Sequence, residues 1–319
     1  MRSNVIKKAG RLALATRIRL LAEKMLQDGS EIYKSLNLDF EPRFFAVFYL
    51  LKDNPSLSVT EIANHIGISQ PAVTQILNGM LKKNLVRIVK DKVDTRKKLI
   101  MISKKGEAML PQLLPLWKDF ESGIGEMFDS MGINILEILD KVESALDEKS
   151  VYERVIGKVK KRLRENVKIE KYKPEYKIHF KNLNLEWLNK FFEVEPVDKK
   201  VLNNPETEVI NGGGMIFFAL IDGEVVGTCA LIKTNNHFEL SKMAVTEKAK
   251  GKQAGFVLCE AAVNFAKEHN AEMIYLSTSH KLKSAINLYT KFGFTPIEIS
   301  ESDKKYIRDT FKMILPLKN

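Results

Sequence analysis

The segment Glu239-Leu-Ser-Lys-Met-Ala-Val-Thr-Glu-Lys-Ala-Lys-Gly-Lys-Gln-Ala-Gly255 combines residue types suited to holding an anion. It begins as a strand, passes through a lysine- and glycine-rich turn, and opens a helix at Gly255-Phe-Val-Leu-Cys-Glu-Ala-Ala262. The first amides of a helix have no intrahelical acceptor, and the helix dipole adds partial positive charge at that end. Lys248, Lys250 and Lys252 add full charges at the same place. The chemistry expected is phosphate binding over Lys250, Gly251, Lys252, Gln253, Ala254 and Gly255.

A second run, Ser284-Ala-Ile-Asn-Leu-Tyr-Thr-Lys-Phe-Gly-Phe294, follows a strand expected at Met273–Thr278. Together the two segments resemble the GNAT superfamily of N-acetyltransferases. That family carries a strand, an Arg/Gln-x-x-Gly-x-Gly/Ala turn, and a later helix ending Leu-Tyr-x-Lys-x-Gly-Phe. The resemblance covers about half of the chain; Lys250 stands in place of Arg or Gln, and Gln253 in place of the first glycine. It implies that the turn holds the diphosphate of acetyl-CoA. It also implies that Tyr289 sits near the CoA sulfur as the acid on the thiol side, the alternative being a ring packed between helix and sheet.

Acyl transfer from a thioester asks little of a protein. It must orient a neutral amine, polarise the carbonyl and protonate the leaving thiolate. Phe238, Leu240, Met243 and Val245 share one strand face only if an extra residue intrudes near Ser241–Lys242, as in a β-bulge. GNAT strands resemble this, splaying so that a free N–H reaches the acetyl oxygen; Met243 is the expected donor, with Val245 beside the cofactor. The same register puts Glu239 on the polar face. There it either takes a proton from the amine through water or forms a surface salt bridge with a lysine. The Gln253 side chain is expected to point away from the phosphates.

These groups need a scaffold. Met215–Ile221 and Val225–Lys233 read as strands joined by Asp222-Gly223, a strong hairpin signal, and Asn235-Asn236 turns the chain into the strand His237–Val245. Tyr176–Phe180 alternates like a strand, Leu185–Phe192 reads as a short amphipathic helix, and Asn211–Gly214 as a loop. With a final helix and a hairpin over Ile297–Leu317, the second half is expected to be an α+β GNAT fold with a mixed, mostly antiparallel sheet.

The first half carries a different pattern. Ser58-Val-Thr-Glu61 is a capping box opening a short helix that stops at Gly67. Ser69 caps the next helix, in which Val73, Ile76, Leu77, Met80 and Leu81 form one buried stripe. Its other face offers Gln70, Thr74, Gln75 and Asn78, with no carboxylate. This is a helix-turn-helix. Two β-rich segments, Leu85–Val89 and Leu99–Ser103, then flank a basic tip, as in a wing. Pro42–Leu114 resembles the winged helix-turn-helix of MarR-family regulators, whose wing carries Asp-x-Arg, here Asp94-Thr-Arg96. In that family the flanking helices, here the N-terminal helix and Leu116–Asp147, build a homodimer.

Composition is that of an ordinary globular protein, 45% hydrophobic and 29% charged over 319 residues, enough for two cores. The net charge of +11 points to a polyanionic partner, and Lys82–Lys105 alone carries ten Lys/Arg against two Asp, a local +8. Lys92, Arg96 and Lys97 in the wing are expected to bind phosphates, while Ser69, Gln70, Thr74, Gln75 and Asn78 approach bases and backbone of double-stranded DNA. Lys158-Val-Lys-Lys-Arg-Leu-Arg164 reads as a solvated helix leading to a linker, with a second DNA contact as the alternative. Cys229 and Cys259 sit in apolar runs and read as buried thiols, and the five His lack ligand spacing, so no metal is expected. No apolar run has membrane-spanning length and no signal peptide is evident, so a cytoplasmic location is expected.

Two domains are therefore expected: 1–155, a mainly α winged helix-turn-helix for DNA binding and dimerisation, and 156–319, a GNAT domain using acetyl-CoA. The function expected is a transcriptional regulator that also acetylates an amine of a small molecule or protein. Two alternatives stay open: a regulator whose GNAT domain only senses acyl-CoA, and an acetyltransferase whose N-terminal domain only dimerises.

Overall fold

Tyr33, Phe40, Phe44, Phe48 and Trp117 pack ring against ring at the centre of the N-terminal unit, with Phe40 edge-on to Phe44 at 5.8 Å between centroids. The Trp117 indole N–H donates to the Tyr33 hydroxyl at 2.9 Å, which satisfies the polar handles of two buried rings. The computed structural model describes residues 4–91, 94, 97–297 and 311–317. Lys92 and Arg96 lie outside the described residues, as does 298–310 of the expected terminal hairpin. Contacts divide the chain into Met1–Ile138 and Leu139–Asn319.

In the first unit, α1 (Asn4–Lys8), α2 (Leu14–Ser35) and α3 (Phe45–Asp53) precede α4 (Val59–Ile66) and α5 (Gln70–Lys82). Strands β1 (Val86–Lys90) and β2 (Lys98–Ile102) pair antiparallel, with Ile88 opposite Ile100. Helices α6 (Lys104–Asp129) and α7 (Ile135–Glu148) follow, α7 running across the division. The capping box at α4 is complete: Ser58 N–H donates to the Glu61 carboxylate at 2.7 Å, and Glu61 N–H to the Ser58 hydroxyl at 3.2 Å. Gly67 ends α4 at φ 76°, a left-handed cap that glycine adopts without strain.

In the second unit, α8 (Val151–Glu165) leads into β3 (Lys168–Lys171), α9 (Lys177–Phe191) and α10 (Pro196–Asn203). The meander β4 (Met215–Ile221), β5 (Glu224–Thr234) and β6 (His237–Val245) is followed by α11 (Ala254–Glu268), β7 (Met273–Thr278), α12 (Lys283–Lys291), β8 (Thr295–Ile297) and β9 (Phe311–Pro316). The strands form one seven-stranded sheet in the order β3-β4-β5-β6-β7-β9-β8, antiparallel except for β6–β7. Both faces are covered. On β4, Phe217 and Ala219 join the core under α11, whereas Ile216, Phe218 and Leu220 join a core with Phe180 and Leu188 of α9 and Val201 and Leu202 of α10. Burial on two sides explains why β4 is apolar throughout rather than alternating. The hairpin turn has Asp222 at φ 52° and Gly223 at φ 83°, the left-handed pair that a two-residue turn requires.

Two expectations are corrected. Tyr176–Phe180 is not a strand: Pro174–Tyr176 forms a 3-10 turn that runs straight into α9. The strand lies earlier, at β3, within a charged stretch expected to be linker. It is an edge strand with only one neighbour, and Lys168 and Lys171 at its ends are exposed. The domain boundary expected near Ile156 falls inside α8, which packs on α11, and the compact division lies ahead of it.

Candidate functional site

The bulge in β6 builds the site. Thr228 of β5 lies opposite Ala244 and Ala230 opposite Ser241, so Lys242 and Met243 together face Cys229. Lys242 takes φ 51°, and the strand kinks. β6 pairs with β7 only over His237–Glu239. Beyond that the two strands separate, and a cleft of about 690 Å³ opens between them, continuing to the head of α11.

Most of the residues singled out from the sequence meet in this cleft. Glu239, Met243, Val245, Lys250, Gly251, Gln253, Ala254, Gly255 and Tyr289 line it, whereas Lys252 does not. Gln253 precedes α11 at φ 67°, the left-handed conformation that glycine adopts most readily. The turn thus keeps a glycine-like backbone without glycine. The Gln253 side chain accepts a hydrogen bond from Arg164 Nε at 3.4 Å. Among the described residues, the amides of Gln253, Ala254 and Gly255 donate to no protein acceptor, which leaves them available at the N-terminus of a 15-residue helix. Gly255 faces Leu288 and Val245, and an added Cβ would lie 3.6 and 3.7 Å from them.

Tyr289 is 7% exposed, and its hydroxyl donates to Met243 Sδ at 3.5 Å. Burial, reinforced by the neighbouring Cys259 and Cys229, pushes its phenol above the ordinary tyrosine range, so it stays protonated well into alkaline solution. Glu239 is 5% exposed and lies in the cleft wall, a position that does not fit the surface salt bridge, one of the two roles expected for it. The two cysteines are buried and unpaired. Burial raises both thiols, Cys259 to about 12, which leaves them poor nucleophiles.

Three features were missed in the sequence. Lys242 and Asp198 form an ion pair with side chains 5% and 0% exposed, linking the bulge to α10. Thr278, at the end of β7, lines the cleft with a buried hydroxyl that has no partner among the described residues. Trp187, Phe191 and Phe192 give the cleft an aromatic wall near α9. Only the Lys242–Asp198 pair had a local signal, the bulge itself; its partner lies 44 positions away.

The second candidate site is on the first unit. Ser69 caps α5 by accepting from Ala72 N–H, and Gln70, Thr74, Gln75 and Asn78 are exposed on one face while Val73, Leu77 and Met80 are buried. The basic stripe behind it is partly neutralised: Lys97 pairs with Glu61 at 3.3 Å, and Lys83 and Lys105 both pair with Asp39. Among the described residues Lys82, Arg87, Lys90, Lys98 and Lys104 are exposed and form no ion pair. Among the described residues, no group of three potential ligands could hold a metal ion, and no helix is long and apolar enough to cross a membrane.

Residues 181–294 match the family model described as Acetyltransferase (GNAT) family, and residues 38–97 match the one described as MarR family. The uncharacterized N-acetyltransferase YobR of Bacillus subtilis (strain 168) is 33% identical over 84 residues, covering 25% of this chain and 33% of that protein. The probable N-acetyltransferase camello of Xenopus tropicalis is 25% identical over 99 residues, covering 30% of this chain and 45% of that protein. The chain thus spans less than half the length of either curated relative. A crystal structure of a GNAT-family acetyltransferase from Staphylococcus aureus Mu50 is 28% identical with a TM-score of 0.44, covering 48% of this chain and 99% of that one.

Proposed function

We propose that this chain, which joins a MarR-family domain to a GNAT-family acetyltransferase domain, binds double-stranded DNA through the first and acetylates an amine from acetyl-CoA through the second. One observation carries the catalytic reading: the β6 bulge, the left-handed turn heading α11 and the buried Tyr289 converge on one cleft. The amine belongs to a small molecule or a protein.

Acetyl-CoA fits the groups present. The open amides of Gln253, Ala254 and Gly255, with Lys250 and Gly251 beside them, would hold the diphosphate. The unpartnered Thr278 hydroxyl offers a further polar contact to the ligand. When bound, acetyl-CoA supplies an acyl group already activated as a thioester. The Met243 amide, on the bulge, is assigned to the acetyl oxygen. Val245, which lines the cleft, would flank the pantetheine arm. Glu239 receives the proton that the amine loses, through water, and Tyr289 gives a proton to the departing sulfur. The aromatic wall near α9 excludes water from the acceptor side.

On the first unit, the exposed amide and hydroxyl side chains of α5 supply base contacts, and the wing supplies phosphate contacts. Lys92, Arg96 and Lys97 are assigned to the backbone, Lys97 exchanging Glu61 for phosphate on binding. A homodimer is supported by apolar residues left exposed at helical spacing on α2, at Leu14, Ile18, Leu21 and Met25. The location proposed is the cytoplasm.

A thiol-release assay with acetyl-CoA and a library of amines and peptides, run beside DNA mobility shifts at defined salt, tests the reading. Acetylation together with DNA binding is the expected result. DNA binding without turnover would favour an acyl-CoA sensor, and turnover without DNA binding an N-terminal domain that only dimerises.

A further inference from the structure

Helix α8 presents a face to the same cleft. Its half-buried positions, Ile156, Val159, Lys160, Leu163 and Arg164, recur at i, i+3, i+4, i+7 and i+8, the stripe that a packed helix ordinarily fills with apolar side chains. Two of the five are cations. Lys160 and Arg164 sit one turn apart and line the cleft, whereas Lys158, Lys161 and Arg162 are exposed. The expectation that this basic run is merely a solvated helix therefore holds for only part of it.

The partners of these two cations are chemically incomplete. The Arg164 guanidinium lies 3.3 Å from the centroid of the Phe256 ring and donates from Nε to the Gln253 side-chain oxygen at 3.4 Å. Both partners are neutral. Among the described residues, neither Lys160 nor Arg164 pairs with a carboxylate. Cations withdrawn from water without counter-charge are disfavoured unless an anion joins them. Beside them, the amides of Gln253, Ala254 and Gly255 are donors without protein acceptors among the described residues. The cationic side chains and the amides point to one kind of ligand.

We propose that α8, which precedes the segment matched to the acetyltransferase family, completes the nucleotide-binding site, with Lys160 and Arg164 binding a phosphate group of CoA. Arg164 is pre-positioned by its stacking on Phe256, which restricts its rotamers before the ligand arrives. Lys160, with no fixed partner, supplies a mobile charge one turn away. The inference rests on the reading that the cleft takes acetyl-CoA. It adds that CoA affinity depends on a helix outside the family segment.

Calorimetric titration of the full chain with CoA and with 3′-dephospho-CoA, at fixed ionic strength, tests this. Lys160→Gln and Arg164→Gln should each weaken CoA binding by roughly tenfold, as expected for loss of one charge-assisted contact, while thermal unfolding stays close to the parent. Lys160→Arg should retain affinity. A loss confined to CoA would assign the cations to the ribose 3′-phosphate, and an equal loss with dephospho-CoA would assign them to the diphosphate; both support the proposal. A parent that binds CoA and a folded Lys160→Gln/Arg164→Gln double variant that binds it equally well would overturn it. A parent that binds no CoA would instead overturn the reading of the cleft itself.

Discussion

The hydroxyl of Tyr289 donates to the sulfur of Met243 at 3.5 Å, tying α12 to the bulge of β6. One contact thus joins the residue proposed to protonate the thiolate to the residue proposed to bind the acetyl oxygen. Tyr289→Phe keeps the ring and removes the hydroxyl, with its proton and its contact to Met243. It should lower kcat by about 10²-fold, the lower end for loss of a general acid because water can substitute, with little change in acetyl-CoA affinity. Because burial raises the phenol above its ordinary value, the protonated form persists as pH rises, and the parent rate should not fall through Tyr289 between neutral pH and about 10. Equal loss of rate and affinity in the variant would make Tyr289 a packing residue.

The Lys242–Asp198 pair holds the bulge against α10 in a setting almost closed to solvent. Asp198→Ala leaves the Lys242 ammonium buried without that carboxylate. The C-terminal unit should lose about 3–5 kcal/mol in urea unfolding. Replacing both partners, Asp198→Leu with Lys242→Met, should cost less than Asp198→Ala alone. A loss under about 0.5 kcal/mol for Asp198→Ala, the range of ordinary surface changes, would show that the pair does not position the bulge.

Much of the cleft was legible because its parts are local. The turn at Lys250–Gly255, the Tyr289 motif and the apolar pattern of Phe238, Leu240, Met243 and Val245 are each read within a dozen residues or so. The bulge follows from the same pattern, since no unbroken strand can put those four residues on one face. What failed was of two kinds. The strand expected at Tyr176–Phe180 is the start of α9, where Phe180 is buried against the sheet, so tertiary packing overrode a short alternating run. The edge strand β3 has too few apolar residues to announce itself. Asp198, Thr278 and Arg164 reach the cleft from α10, β7 and α8, and no periodicity within one element records such a convergence.

Gln253 holds a left-handed backbone against the preference of its own side chain. Gln253→Val adds a β-branched residue where even unbranched ones are strained and should destabilise the C-terminal unit by about 1–3 kcal/mol. Gln253→Gly should relieve the strain and come out within about 1 kcal/mol of the parent, because it also gives up the Arg164 contact and gains unfolded-chain entropy. If valine is tolerated as well as glycine, the turn does not keep this conformation in solution.

On the first unit, Gln75 and Arg96 should separate by the kind of DNA contact proposed for each. Gln75→Ala should relax sequence preference, with ~1–3 kcal/mol of discrimination lost at one base pair. Arg96→Ala should weaken specific and random DNA alike and reduce the salt slope by about one unit. Anisotropy titrations across a salt series measure both. Parent-like binding by both variants would remove the DNA-reading role from the helix-turn-helix.

Gln253 stands where the GNAT pattern that this segment resembles has glycine, and acetyl-CoA is nevertheless proposed to bind in the cleft behind the bulge. Calorimetric titration of the intact chain with acetyl-CoA addresses this directly. Saturable binding at one ligand per chain, weakened by added salt and lost in Gly255→Val while DNA binding persists, is the predicted result. No binding by the parent, with binding restored by Gln253→Gly, would contradict it and mark the domain as a degenerate relative of an acetyltransferase.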